Sequence, residues 1–276
     1  MSPLDTALWQ EALAQVPGAE SQAGVHVQPL AGGTTNATFR VQTRLGAFVV
    51  RLHESFSLDL GVDRRREAVL HAAAAQAGLA SRILAADPRG RFLVTEFLDG
   101  AVWRAVDLED ERRLRGLAQT LLELHALPVP AVAVLDLQAL LEGHLAGIAA
   151  QDTAAVQQLA PQLARAREVL ARLADAGRPA CIVHGDLSVG NVLGANRPRL
   201  IDWEYAAVAD PLVDPACLLA YYPQVLPHAA TLLRGCGLAG SVSVPQLEAL
   251  AGVYRLLSSL WSRRLELARR HPPPAH

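Results

Sequence analysis

The sequence predicts an α+β chain of two lobes, a small β-rich N-terminal lobe over about residues 1–98 and a larger, mainly helical lobe over about 99–276. Three observations predict it. Short alternating or apolar runs punctuated by glycine fill much of the first hundred residues. After Asp99-Gly100 the pattern changes to long Ala/Leu/Gln-rich stretches with helical periodicity. Within that helical part, over residues 180–202, short apolar runs bracket a polar loop.

Taken in order, residues 4–16 carry apolar side chains at helical spacing (Leu4, Ala7, Leu8, Leu13) and stop at Pro17-Gly18. Strand-like runs follow at 25–30, 37–43 and 47–53, connected by Gly32-Gly33-Thr34-Thr35-Asn36 and by a turn at Leu45-Gly46, the pattern of an antiparallel meander. A helix is expected over 63–77, ending near Gly78. Strands are expected at 82–86 and 91–97, joined by Asp87-Pro88-Arg89-Gly90. Beyond residue 99, an amphipathic helix over 108–127 is halted by Pro128 and Pro130. Helices over 137–149 and 153–176 come next, with Pro161 breaking or kinking the second. Residues 215–270 read as helical, and the proline-rich tail 271–276 as frayed. No internal repeat is visible.

The 276 residues are 51% hydrophobic and carry a formal net charge of −2. That balance gives no reason to propose a nucleic-acid or membrane-surface partner. The arginines, including Arg64 to Arg66, Arg112 to Arg115, Arg263 and Arg264, are scattered and read as solvated helix faces. No apolar stretch approaches the roughly 20 residues of a membrane span, and no secretory signal is evident. Cys181, Cys217 and Cys236 are odd in number and widely spaced, so they read as reduced packing residues. The expectation is a soluble cytoplasmic protein.

The chemistry is concentrated in Cys181-Ile-Val-His184-Gly185-Asp186-Leu-Ser-Val-Gly-Asn191-Val-Leu193 and in Leu200-Ile-Asp202-Trp203. An apolar run before each polar cluster places both at strand ends, where a rigid scaffold presents side chains to a cleft. Phosphoryl transfer needs an aligned nucleophile, Mg²⁺ held against phosphates and neutralised developing charge. Asp186 followed five residues later by Asn191 has the kinase spacing of a catalytic Asp and a metal-binding Asn. Asp202 adds the carboxylate oxygen that Mg²⁺ prefers. Each residue alone is an ordinary turn or surface residue; the joint pattern makes them a site. Gly235-Cys236-Gly237 has no phosphate-loop context, and no Walker-type loop occurs.

These residues carry a resemblance. His184-Gly-Asp-x4-Asn191 with Ile201-Asp202-Trp203-Glu204-Tyr205-Ala206 resembles the aminoglycoside phosphotransferase and choline kinase superfamily, closest to its choline/ethanolamine kinase and thiamine kinase branches. The likeness covers nearly the whole chain, and residues 184–214 are its most specific part. It implies a protein-kinase-like bilobal fold with ATP between a nucleotide-binding lobe (1–98) and a catalytic and acceptor-binding lobe (99–276). By matching motif, Asp186 is implied to be the catalytic base, His184 the brace of its loop, and Asn191 and Asp202 the Mg²⁺ ligands. Asp210-Pro211 and Asp214 match a structural Asp-Pro-x-x-Asp element. Gly185 in place of Arg, Trp203 in place of Phe, and the lack of an Ala-Pro-Glu segment separate the chain from protein kinases.

In the N-terminal lobe, Gly32, Gly33, Thr34 and Asn36 are expected to bring backbone N–H groups near phosphates. Arg51 stands where many members have a phosphate-contacting Lys and the choline kinase branch often has Arg, which holds phosphate bidentately. Glu67 is expected to orient it. Main-chain groups of about Glu96 to Leu98 are expected to contact adenine.

For the acceptor, a small and cationic alcohol, the candidates are Glu204, Tyr222, Tyr254 and Trp261, with Tyr205 and Tyr221 nearby in sequence. A cation shed of water needs an aromatic face or a carboxylate. Tyr254 and Trp261 are seven apart and share a helix face, the spacing of core residues as much as of a ligand cage. Trp261 resembles a cage tryptophan of choline kinases, and Ser258 replaces a second. Two alternatives are kept: an antibiotic-modifying phosphotransferase of aminoglycoside type, with acids such as Glu204, Asp210, Asp214 and Glu248 in the large lobe, and a non-catalytic nucleotide-binding protein on the same fold.

Overall fold

A computed structural model describes residues 6–20, 24–30, 36–54 and 60–270. Gly32, Gly33 and Thr34 of the expected phosphate turn, Leu4 of the first helix and the tail histidines lie outside the described residues.

The N-terminal lobe is built on a five-stranded antiparallel sheet in the order β1-β2-β3-β5-β4, formed by β1 (His26–Leu30), β2 (Asn36–Thr43), β3 (Gly46–His53), β4 (Ile83–Ala86) and β5 (Phe92–Glu96). Alternation in β2 and β3 sends Phe39, Val41, Phe48, Val50 and Leu52 to one face. There they bury against Ala12 and Leu13 of α1 (Thr6–Leu13) and against Val16 and Ala19 after it. Pairing of Arg51 with Leu93 and of Phe48 with Glu96 sets the register of β3 against β5.

Helix α2 (Arg64–Gln76) begins where the Asp63 side chain accepts from the backbone N–H groups of Arg65 and Arg66. Its buried residues, Glu67, Leu70, His71 and Ala74, fall on one face. Leu70 and Ala74 pack into the core of the large lobe, so α2 ties the two lobes together. After β5 the chain is stitched to the large lobe: Trp103 N–H donates to Val192 O and its indole to Gly194 O, both on or beside the short β7 (Val192–Leu193).

The large lobe packs α3 (Glu111–His125), α4 (Leu137–Ala149), α5 (Thr153–Gln157), α6 (Ala160–Asp175), α7 (Val213–Tyr221), α8 (Ala229–Gly235) and the long α9 (Val244–Arg270) around one core. Leu114, Leu117, Ala118, Leu121 and Leu124 give α3 its buried stripe.

Several boundaries differ from those expected. The helix expected over 108–127 starts at Glu111, because Asp110 caps it by accepting from Arg112 N–H; a short 3₁₀ turn, Ala105–Glu109, precedes it. The stretch 153–176 is two helices, with Pro161 in the first turn of the second, where its missing N–H costs nothing. Residues 215–270 contain three helices and a 3₁₀ turn, and Gly235-Cys236-Gly237 forms the end of α8 rather than a helix interior. Two-stranded pairs frame the polar loops: β6 (Cys181–Val183) with β9 (Ala207–Ala209), and β7 with β8 (Arg199–Leu200). All three cysteines are buried and free. Among the described residues, no helix is long and apolar enough to cross a membrane.

Candidate active site

The turn after β6 is pinned from beneath by one carboxylate. Asp214, at the start of α7 and fully buried, accepts from the backbone N–H of His184 (3.1 Å) and Gly185 (3.0 Å) and from His125 Nε2 (3.0 Å). Burial pushes the Asp214 carboxyl up, but the His125 hydrogen bond and charge and the Gly185 N–H outweigh it and hold the group below its ordinary range. The His184 ring donates from Nε2 to Ile201 O at 3.0 Å, bracing the Asp186 turn against the Asp202 turn. Trp203 lies between the His184 ring, met edge-on, and the His71 ring, stacked at 5.8 Å.

Gly185 has no substitute here. Its φ is +77°, and a Cβ would lie 2.3 Å from the carbonyl oxygen of Tyr205. The close approach brings the two functional turns into contact.

Asp186 then enters the cleft with each carboxylate oxygen engaged differently. Oδ2 accepts from Asn191 Nδ2 at 3.0 Å, and Oδ1 accepts from the Tyr221 hydroxyl at 2.9 Å. Asn191 Nδ2 also donates to Asp186 O at 2.8 Å. Both amide protons of Asn191 are thereby used on Asp186, and among the described residues its Oδ1 is left with no donor. Asn191 O accepts from Ile201 N–H, which sets Asn191 beside Asp202.

Asp202 adopts φ +62°, a left-handed conformation rare outside glycine. Its Oδ1 meets Arg51 Nη1 at 2.5 Å. Enclosure in the cleft pushes this carboxyl up; Arg51 opposes the rise, and Glu204 and Asp186 add to it. The remaining Asp202 oxygen and Asn191 Oδ1 form an all-oxygen donor pair, the chemistry that Mg²⁺ selects, so these residues fit that ion. Among the described residues no cluster of three or more His, Cys, Asp or Glu side chains gathers as a metal cage.

Arg51 and Glu67 form a buried ion pair, and a second cation joins it. Arg64 Nη1 lies 2.9 Å from Glu67 Oε2 and 3.1 Å from Glu204 Oε2, and Arg64 Nη2 donates to Asn36 Oδ1 at 3.0 Å. Asn36 Nδ2 donates to the same Glu204 oxygen at 2.8 Å. This corrects the reading of Arg64 as a solvated helix face: its side chain is 7% exposed and bridges the lobes. Arg66 departs from that reading as well, its Nε donating to Ala206 O at 3.0 Å, and only Arg65 of the run is exposed. Beside it, His53 is pushed down to about 2, chiefly by burial and then by Arg51 and Arg64, so it stays neutral.

Between the lobes lies a cleft of about 940 Å³ that brings together most of the residues singled out from the sequence. Asn36, Arg51, Glu96, Leu98, Asp186, Asn191, Asp202, Glu204, Tyr222, Tyr254 and Trp261 all line it. His184 and Glu67 act from just behind the wall. The Glu96 side chain pairs with Arg82 at the surface, which leaves its main chain to the cleft. Tyr254 and Trp261 line the cleft while Tyr254 also packs on the core, so the two readings of their spacing hold together. The Trp261 indole donates to the Tyr205 hydroxyl at 2.7 Å, and Tyr222 accepts from Val189 N–H.

Of the acids considered for the acceptor, only Glu204 lines this cleft, and its carboxylate is held by Arg64 and Asn36. Asp210 pairs with Arg178, Asp214 pins the His184-Gly185 turn, and Glu248 opens on a separate small depression. Tyr221 and His125 were not placed at Asp186 and Asp214 by the sequence, where no local spacing links them.

A bilobal fold with an Asp-Asn pair and a second Asp beneath an Arg-Glu pair defines the phosphotransferase class. Residues 26–263 match the model of the phosphotransferase enzyme family, and the chain belongs to that family. No curated protein sequence matches it. Among solved structures, a choline/ethanolamine kinase family protein from Mesorhizobium loti is similar with a TM-score of 0.73 and 22% identity, covering 98% of this chain and 89% of its own. Choline kinase LicA from Streptococcus pneumoniae has a TM-score of 0.74 at 19% identity, covering 94% and 90%. The aminoglycoside phosphotransferase APH(2'')-IIa, in a ternary complex with streptomycin and ATP, has a TM-score of 0.65 at 17% identity, covering 99% and 93%. At these identities the likeness extends to the protein-kinase-like fold.

Proposed function

We propose that this protein is an ATP- and Mg²⁺-dependent kinase that transfers the γ-phosphoryl group to the hydroxyl of a small, cationic alcohol of choline/ethanolamine or thiamine type. The observation that carries the reading is the position of the Asp186 carboxylate. One oxygen rests on Asn191, beside Asp202 and Arg51; the other rests on Tyr221, at the aromatic wall of the same cleft. A hydroxyl set against Asp186 therefore lies between phosphate-binding groups and a wall suited to a cation.

The residues take these roles. Arg51, held by Glu67, binds phosphate oxygens, with Asn36 on the same side, and Gly32, Gly33 and Thr34 keep the phosphate-binding role expected of them from the sequence. Main-chain groups at Glu96 to Leu98 receive the adenine. Asn191 and Asp202 hold Mg²⁺, which when bound neutralises phosphate charge. Asp186 orients the acceptor hydroxyl and takes its proton, while His184 and Asp214 keep the turn from moving. Tyr222, Tyr254 and Trp261 offer ring faces to the acceptor cation. Glu204, already bound by Arg64 and Asn36, is the least available of the acceptor candidates. A polyamine antibiotic needs several open carboxylates; with Glu204 occupied and Asp210, Asp214 and Glu248 elsewhere, the small alcohol is favoured. Lobe 1–98 is thus the nucleotide side and 99–276 the catalytic and acceptor side.

The test is ADP release from Mg²⁺-ATP over a panel of choline, ethanolamine, thiamine, simple sugars and aminoglycosides, with Asp186→Asn as the blank. General-base contributions run about 10²–10⁴-fold, so the blank should lose at least that much kcat. Equal turnover in the blank refutes the base assignment. Silence with every acceptor, while ATP still binds, favours the non-catalytic alternative.

A further inference from the structure

One buried polar side chain in the cleft wall belongs to none of the networks above. His144, on α4, keeps only 4% of its surface exposed yet lines the cleft. Among the described residues no hydrogen bond reaches its ring; Nδ1 is sealed from solvent, which leaves Nε2 as the nitrogen that a cleft ligand can meet. Buried polar groups are normally paired, so an unpaired ring facing a cavity points to a ligand that completes it. Leu135, Leu140 and Leu257, which line the same cleft, are apolar and cannot do so.

The electrostatics around His144 select what can bind. The Arg264 guanidinium lies against Gly147, one turn along α4, where a Cβ would sit 2.6 Å from Arg264 Nε. Among the described residues Arg264 makes no ion pair. Burial, and then the Arg264 charge, push His144 down to about 4, so at neutral pH the ring is uncharged. A second cation brought to this corner would meet Arg264. A lone-pair group would be favoured by that charge and would accept from the imidazole N–H. The charge that bears on His144 is that of Arg264, with none from Asp186 or Asp202, which sets this corner apart from the phosphorylated end.

We infer that His144 is an acceptor-binding residue that hydrogen-bonds the end of the acceptor remote from its phosphorylated hydroxyl, and that this end is a ring nitrogen or carbonyl carried on an apolar body. The inference rests on the kinase reading above and narrows its substrate class. A compact ammonium alcohol leaves the ring unpaired, and a polyamine places charge beside Arg264. The acceptor is an elongated alcohol with its cation at the aromatic wall and an uncharged, hydrogen-bond-accepting far end.

The experiment measures binding without turnover. In the Asp186→Asn chain, calorimetry gives the dissociation constants of thiamine, whose aminopyrimidine presents ring nitrogens beyond its cation, and of choline, which ends at its ammonium. ADP binding to the same preparations reports that the cleft is folded. His144→Phe should weaken thiamine about ten-fold relative to ADP, the equivalent of one net hydrogen bond of about 1.4 kcal/mol. His144→Gln, which keeps a donor, should recover part of that loss. An unchanged thiamine constant in His144→Phe overturns the inference. So does an equal loss for choline, which has no group to meet the ring, and so does failure of thiamine to bind the parent chain. The kinase reading is judged separately by ADP release from the unmutated protein.

Discussion

Replacing Asp214 with asparagine keeps the size of the side chain and removes its charge. In the native protein the carboxylate receives three donors: His184 N–H, Gly185 N–H and His125 Nε2. The amide retains one oxygen and turns an NH₂ toward at least one of those donors, which is then buried without an acceptor. A buried donor left unpaired costs about 1–3 kcal/mol, and more is lost because the acceptor was charged. The expected destabilisation is about 3 kcal/mol, or a fall in Tm of roughly 6–12 °C at 2–4 °C per kcal/mol for a chain of this size. The sign with pH follows from the lowered Asp214 carboxyl. A group whose folded value is depressed stabilises above its unfolded value and loses that contribution as pH falls through the folded one. The native chain should therefore exceed the asparagine variant in stability at neutral pH, and the gap should close on acidification below about pH 4. Thermal and urea unfolding of both chains between pH 3 and pH 8 measure this. A neutral-pH difference below about 1 kcal/mol, or a gap that persists unchanged at pH 3, refutes the reasoning.

Three further outcomes are expected. Gly185→Ala combines a left-handed φ with a Cβ 2.3 Å from the Tyr205 carbonyl, so it should cost more than about 2 kcal/mol in urea unfolding. Gly190→Ala, whose Cβ meets only Ser188 Oγ at 3.5 Å, serves as the tolerated control, and equal losses would refute the steric account. Glu67→Gln withdraws the carboxylate shared by Arg51 and Arg64. The expected result is a loss of about 3 kcal/mol in stability and a raised KM for ATP, with unchanged nucleotide kinetics counting against the role given to Arg51. Trp261→Ala should raise KM for a cationic acceptor about 2–30-fold, the span of a cation–π contact of 0.5–2 kcal/mol, and an unchanged KM would remove Trp261 from the acceptor wall.

The residues that could be read in advance are those whose relation is short in sequence. Asp186 and Asn191 are five residues apart and meet through a single local turn. The two lobes were legible because a period-2 pattern gives way to a helical one after Asp99-Gly100. Boundaries were misplaced where capping or proline geometry decided them, as at Asp110 and Pro161. The merged reading of residues 215–270 failed because the turns at Pro223–His228 and around Gly237 interrupt an otherwise helix-compatible composition.

The sequence by itself determined the fold class and the spacing of the Asp186–Asn191 turn, since both depend on local periodicity and on residue types within one loop. Tertiary structure alone decided how that turn is held and what surrounds it. His125 reaches Asp214 across 89 positions, and Arg64 reaches Glu204 across 140. Neither pairing leaves a local trace, because the same arginine is a solvated charge on a bare helix and a bridge between lobes once its face is buried. His144 is the same case. Only the packing of α4 and α9 shows an imidazole buried at the cleft and, among the described residues, left without a partner, since burial is a property of the assembled chain and not of any segment of it.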